Sequence, residues 1–434
     1  MTITIPRPVA ESESESEAAR KAALARAASR RMSAVSTDQK NDALRRIADA
    51  IEAETPRILA VNAAEIARGR ANGLTGSFID RMELTEARLA AIARDTRAVA
   101  TLPDPVGVTE EMVTRPNGLQ IGRISVPLGV VASIYESRPN VTVDIAAVCL
   151  KSGNGVVLRS GTDAHATSAV FAEIIQREAA AAGLPEGIVQ FIESTDRAEV
   201  GALLAAGPLI DLMVPRGGAD LIRRVQQEAT MPVVAGGIGV CHTFVDADAS
   251  LEMARNIIID AKTVRPSVCN AMDTLLVHAA VADRFVPMIA AALGAHGVTL
   301  HADARALPLV SSVRDVAVLP VRDEDYDREW LSLDCSVRVV DSLDAAIGHI
   351  EVHGSGHSEA IVTDSWAASQ RFLRDVDAAA VFVNASTHFN DGGQFGLGVE
   401  VGISTQKMHA RGPMGLKELT SYKWIVLGNG QVRG

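Results

Sequence analysis

Apolar positions along this chain follow two periods, and the change from one to the other divides it. Up to Ala98 the spacing is helical: Ser36-Thr37-Asp38-Gln39 reads as a capping box opening a helix through Ile51, with Leu44, Ile47 and Ile51 on one face. Two further helices are predicted over Leu59–Arg70 and Glu86–Ala98. Leu119–Val126 alternates as a strand does, Val130–Tyr135 is an apolar run, and strands then alternate with helices. Strands are predicted over Gly155–Leu158, Ile188–Ile192, Ile210–Val214 and Pro232–Val234, with helices over Ala164–Ala182, Arg197–Ala206 and Ala219–Ala229 between them. A second series starts near His242, with helices over Leu251–Asp260, Ala282–Leu293, Leu343–Val352 and Trp366–Val376. Its strands fall over Thr274–Val277, Val298–His301, Ala360–Thr363 and Ala379–Asn384. Short, nearly all-apolar strands joined by helices imply an α/β fold of parallel sheets covered on both faces.

Length and charge narrow the class. At 434 residues the chain exceeds one ordinary core, so two or three domains are expected. No apolar run approaches the ~20 residues that span a bilayer, and the N-terminus lacks a basic-then-apolar leader, so no membrane partner and a cytoplasmic place are expected. A net charge of -11 argues against nucleic acid as a partner, because polyanion binding is driven by Lys and Arg. The Glu-Ser run Glu11 to Glu17 marks residues 1–17 as an acidic tail expected to be disordered. The cluster Asp323 to Asp327 is expected on a solvated loop.

Four cysteines, Cys149, Cys241, Cys269 and Cys335, stand far apart without CxxC spacing, which favours free thiols in a reducing compartment. Cys149 falls in an apolar run and reads as core. Cys241 adjoins His242, but neighbours on a strand point to opposite faces and do not pair. The ten histidines show no metal-ligand spacing, so no metal is expected.

Cys269 differs from the other three. It follows a proline-broken turn, Lys262-Thr263-Val264-Arg265-Pro266-Ser267-Val268, and nearby cations lower a thiol pKa toward the reactive thiolate. Packing remains an alternative for any cysteine in such a turn. Two strand ends carry glycine before a helix: Arg159-Ser160-Gly161 after Leu158, and Pro215-Arg216-Gly217-Gly218 after Val214. Such turns let backbone N–H groups approach a phosphate at a helix N-terminus, although a plain tight turn has the same composition.

The strings Ser133 to Asp144, Val214 to Gly218, Arg265 to Asn270 and Asp391 to Gly396 resemble the gamma-glutamyl phosphate reductases, a proline-biosynthesis branch of the aldehyde dehydrogenase superfamily. The resemblance runs from about Ala18 to Leu427. It implies two doubly wound parallel-sheet domains with a small β oligomerisation arm. The implied domains are 18–112 with 128–241 for the cofactor, 242–390 for the catalytic cysteine, which would face the first domain across a cleft, and 113–127 with 403–434 for the arm.

The resemblance also implies chemistry: NADPH-dependent reduction of L-glutamyl 5-phosphate to L-glutamate 5-semialdehyde through a Cys269 thioester. Oxyanion donors would be the Asn140 amide and the Cys269 N–H. The cofactor would be held at Arg159, Ser160, Gly161, Pro215, Arg216, Gly217, Gly218 and Glu329, with Arg159 suited to the 2'-phosphate that distinguishes NADP. Arg138, Lys262 and Arg265 are the cations expected at the substrate's anionic groups. Hydrolytic relatives carry a glutamate base where this chain reads Val234-Ala235-Gly236-Gly237, which disfavours water as the acyl acceptor. A CoA-acylating aldehyde dehydrogenase shares these features and is the alternative. A homodimer or homotetramer, and channelling of the acyl phosphate from glutamate 5-kinase, are the implied partnerships.

Overall fold

The computed structural model describes residues 16–74, 76–234, 236 and 238–433. The chain divides into two compact units, Met1–Ala235 with Gly415–Gly434, and Gly236–Met414.

The first unit opens with helices α1 (Glu17–Ser29), α2 (Thr37–Ala53), α3 (Thr55–Ala71), α4 (Gly76–Met82) and α5 (Glu86–Thr101). The Ser36 and Gln39 side chains form the reciprocal capping box that opens α2. Strands β1 (Thr109–Thr114) and β2 (Gln120–Pro127) follow. Next comes the alternating series β3 (Val130–Tyr135), α6 (Asn140–Lys151), β4 (Gly155–Ser160), α7 (His165–Ala181), β5 (Val189–Phe191), α8 (Ala198–Leu204), β6 (Leu212–Arg216) and α9 (Ala219–Glu228). The four strands pair in parallel in the order β5-β4-β3-β6. Val130, Ala132 and Ile134 of β3 bury one face against Ala18, Ala22 and Ala25 of α1 and Val200 and Leu203 of α8. Helices α6 and α7 pack on β4 and β5. Strand order runs outward from β3 in both directions, so a ligand crevice is expected at the carboxyl ends of β3 and β6.

The second unit contains β7 (Cys241–Val245), α10 (Leu251–Thr263), β8 (Met272–His278), α11 (Ala279–Gly294), β9 (Thr299–Ala302), α12 (Leu307–Ser311), β10 (Val318–Pro320), β11 (Asp334–Val340), α13 (Leu343–His353), β12 (Ser358–Val362), α14 (Trp366–Asp375) and β13 (Ala380–Val383). Seven strands form one parallel sheet, β10-β9-β11-β8-β7-β12-β13. One face buries Val245, Leu275, Val277 and Val337 against α10 and α11, and the other buries Phe244, Leu276 and Ile361 against α13 and α14. The short pair β14 (Ile403–Ser404) and β15 (Gly412–Pro413) follows. The last strand, β16 (Thr420–Leu427), belongs to the first unit and joins the antiparallel sheet β1-β2-β16. This is the predicted α/β class, two parallel sheets with helices on both faces and a small β arm.

Several boundaries move. Strand β4 runs on through Arg159 and Ser160, and β6 through Pro215 and Arg216, so these residues end strands instead of forming turns. Val233 makes a single bridge to Met213 instead of a strand. Ser16 caps α1 and Glu17 lies inside it, so these two residues of the predicted tail belong to the helix; residues 1–15 lie outside the described residues. Asp325 is buried against Arg322 instead of solvated. The periodicity also passes over β1, α6, α12, β10 and β11. The strands among them are short or mix polar with apolar positions, which weakens a period-of-two signal.

Candidate active site and nucleotide turns

In the second unit, the turn between α10 and β8 carries Cys269. It is partly exposed, while Cys149, Cys241 and Cys335 are buried; all four are free thiols. The turn is held from beneath. Cys241 Sγ donates to the Cys269 carbonyl at 3.2 Å, and Asn270 Nδ2 donates to the carbonyls of His388 (3.2 Å) and Asn390 (3.1 Å). Gly239 must be glycine, because a Cβ there would lie 1.7 Å from the Cys269 carbonyl oxygen. Its N–H donates to Glu329 Oε1 at 3.1 Å, which brings Glu329 beside the cysteine turn.

Lys262 and Arg265 part company. Arg265 is exposed on the turn, whereas Lys262, expected at the substrate, is fully buried in α10 with its ammonium 3.8 Å from Asp273 Oδ1. Asp273 accepts the Trp330 N–H at 3.0 Å and the Cys241 N–H at 3.5 Å. Burial raises its carboxyl to about 7, against the pull of Lys262. Burial also lowers His357 to about 4 and raises the Cys241 thiol well above its ordinary range. Cys241 and His242 do not pair, as strand geometry requires: His242 Nδ1 meets Glu359 Oε2 at 2.9 Å instead. Among the described residues, no group of three or more His, Cys, Asp or Glu is placed to hold a metal ion.

In the first unit, the carboxyl ends of β3, β4 and β6 meet around Glu136. Its N–H donates to the Arg216 carbonyl at 3.0 Å and its Oε2 accepts the Gly218 N–H, also at 3.0 Å. A Cβ on Gly217 would sit 2.5 Å from that carboxylate, so a side chain there would push Glu136 aside. Helix α7 offers no phosphate site, because Glu65 already takes the N–H groups of Ala166 (2.7 Å) and Thr167 (3.0 Å). Helix α9 opens just after Gly217 and Gly218, with the Gly218 N–H taken by Glu136, one group against the two taken at α7.

Arg159 is buried, donating to the carbonyls of Ser160 (3.0 Å), Thr195 (3.3 Å) and Asp196 (3.4 Å). Burial, and then the Arg197 and Arg224 guanidiniums, depress its pKa. The Glu136 and Glu199 carboxylates pull the other way. Asn140 opens α6 instead of sitting in a free turn, after Ser137 with its positive φ of 49° and the exposed Arg138. One of its amide hydrogens is committed to Asp144 at 2.8 Å, and burial raises that carboxyl to about 6.

Sequence reasoning missed Asp273, Glu136, Glu65 and Gly239. Two left a readable signal: Asp273 is a carboxylate inside an apolar strand, and Glu136 a charge directly after an entirely buried one.

The aldehyde dehydrogenase family pattern matches residues 7–315. A protein of Dehalococcoides mccartyi named gamma-glutamyl phosphate reductase is 54% identical over 414 residues, 95% of this chain and 98% of its own length. One of the same name from Moorella thermoacetica is 51% identical over 409 residues, 94% of this chain and 97% of its own. The crystal structure of a gamma-glutamyl phosphate reductase from Thermotoga maritima superposes with a TM-score of 0.93 at 41% identity, covering 96% of this chain and all of that one.

Proposed function

The chain belongs to the aldehyde dehydrogenase family, and from that premise we propose that it reduces L-glutamyl 5-phosphate to L-glutamate 5-semialdehyde and phosphate, the second step from glutamate to proline. Family membership implies a nicotinamide cofactor. The observation that carries the mechanism is the partly exposed thiol of Cys269 on a turn fixed from below.

The Cys269 sulfur attacks the acyl-phosphate carbonyl carbon. The bond to phosphate breaks, phosphate leaves with the electron pair, and a thioester remains. A bound nicotinamide supplies hydride, which no side chain can provide. The tetrahedral adduct on Cys269 then collapses to the aldehyde and returns the thiolate. Oxyanion roles for the Cys269 N–H and the Asn140 amide follow from the resemblance, and Asn140 keeps one amide hydrogen beyond the one Asp144 takes. Valine at position 234, where hydrolytic relatives carry the base, favours hydride over water as the fate of the thioester.

Nucleotide phosphates suit Arg216, Gly217 and Gly218 at the start of α9, beside the end of β6 that Pro215 shapes, and Glu329 suits the nicotinamide ribose. Arg159, with Ser160 and Gly161, suits the adenosine end. The Arg197 and Arg224 guanidiniums acting on Arg159 support NADP over NAD, since a 2'-phosphate would offset repulsion that the Glu136 and Glu199 carboxylates only oppose in part. Arg138 and Arg265 remain cations for the substrate's anionic groups. The sheet β1-β2-β16 exposes Met112, Val113, Trp424 and Val426, apolar groups that suit it to an arm between subunits of a homodimer or homotetramer. A cytoplasmic place agrees with the free thiols, and no helix among the described residues is long and apolar enough to cross a membrane. Transfer of the labile acyl phosphate directly from glutamate 5-kinase belongs to the same reading.

The test runs the reaction backwards. Purified protein oxidises glutamate 5-semialdehyde with phosphate as acceptor, and Cys269→Ser abolishes the activity; strict dependence on CoA would instead assign the chain to the acylating dehydrogenases. For NADP, a nucleotide titration of Arg159→Ala loses NADP binding more than NAD binding, and equal losses would remove the 2'-phosphate role.

A further inference from the structure

Lys262 and Asp273 bracket the cysteine turn. Lys262 is the penultimate residue of α10, before the turn begins, and Asp273 is the second residue of β8, just after it ends. Both are buried, and among the described residues Lys262 Nζ has no hydrogen-bond partner, only Asp273 at 3.8 Å. As a pure source of stability this is a poor arrangement, because a well-packed apolar pair of similar volume commonly does as well or better than a buried ion pair. The carboxylate, however, does what an apolar side chain cannot. It takes the N–H of Trp330, next to Glu329, and of Cys241, whose thiol holds the Cys269 carbonyl. Glu329 in turn takes the N–H of Gly239, which abuts that same carbonyl. The contacts close a ring from Asp273 through the Glu329 loop and the residues around Gly239 to Cys269, then back through Cys241.

We propose that Lys262 and Asp273 are a positioning pair, locking the cysteine turn and the Glu329 loop into one register so that nucleophile and nucleotide grip are set together. The inference rests on the reading of Cys269 as nucleophile and Glu329 as a nucleotide contact. Lys262 holds the carboxylate in place from one side while the two N–H groups orient it from the other. Loss of either partner loosens both loops at once.

The experiment uses the full chain carrying Asp273→Asn, Lys262→Met, both together, and Asp273→Glu, which keeps the charge but displaces it and covers the case in which Asn prevents folding. Each folded variant is measured for the rate of Cys269 alkylation by iodoacetamide near neutral pH, located by mass spectrometry, and for nucleotide KM and kcat. In each single variant the alkylation rate falls and nucleotide KM rises together, each by roughly tenfold, the scale of a small misplacement of reacting groups. The double variant is no worse than the worse single, since neither charge is left alone. Folded variants with lowered melting temperatures but wild-type alkylation and KM would overturn the proposal. An unreactive Cys269 in the wild type would overturn the nucleophile reading instead.

Discussion

Glu65 and Glu359 are both buried carboxylates, and Lys151 and Lys262 both buried ammoniums, yet their surroundings treat them oppositely. In the first unit Glu65 accepts from Ala166 N, Thr167 N and Thr167 Oγ1, capping α7. Lys151 donates to Asn41 Oδ1 and the Ala100 carbonyl. In the second unit Glu359 turns one oxygen to His242 and, among the described residues, leaves Oε1 without a partner, while Lys262 has Asp273 alone at ion-pair distance. Burial accordingly raises the Glu359 pKa. The lesson is that a buried charge can serve two ends. Fully satisfied, it staples helices together; under-satisfied, it is an expense that stability does not explain, and Lys262, one such residue, stands just before the cysteine turn.

The sharpest way to break this contrast is Glu65→Ala. Three donors at a helix N-terminus, and the Arg68 guanidinium besides, lose their acceptor, so stability falls by about 3 to 5 kcal/mol in chemical denaturation, while kcat of the folded fraction stays unchanged. A loss of under about 1 kcal/mol would show that the cap is replaceable and the staple reading wrong. Lys151→Met follows with a smaller cost, about 2 kcal/mol, because relief of burying the ammonium offsets part of the two lost hydrogen bonds. If it lowers nucleotide affinity as well, the division between stapling and positioning charges fails.

How much of this was legible in the sequence follows the range of the interactions. The capping box at Ser36 is a local pattern, and the buried strands β3, β4 and β8 are each built around a short apolar run, so both read directly. Cys149 reads as core from its neighbours and is fully buried. What escapes is pairing across the chain. Glu65 caps a helix that starts at His165, and Asp273 reaches Trp330 and Cys241; neither partner stands at a spacing that marks it. Lys262 shows the cost of reading charge without depth. Its place near the cysteine suggested a substrate contact, but helical phase turns it inward, while Arg265, beyond the helix end, remains exposed.

The pH dependence of stability, the smallest effect per pH unit, is the most diagnostic, because it asks whether Asp273 behaves as a staple or as a strained group. Burial pushes its carboxyl up to about 7; the nearby Glu329 carboxylate adds to that push, and Lys262 and the N–H groups of Trp330 and Cys241 oppose it. An unfolded aspartate titrates near 4, so between about pH 4 and about pH 7 the folded protein holds a proton that the unfolded chain has released. The group's contribution to stability therefore falls as pH rises through that window, by at most about 1.4 kcal/mol per unit. Asp273→Asn cannot titrate, so the stability of wild type minus that of the variant declines from about pH 5 to about pH 7 in denaturant melts. A difference that stays flat over this window, changing only below about pH 4, would mean a carboxylate held below its ordinary range by its partners, the signature of a satisfied staple, and would place Asp273 with Glu65.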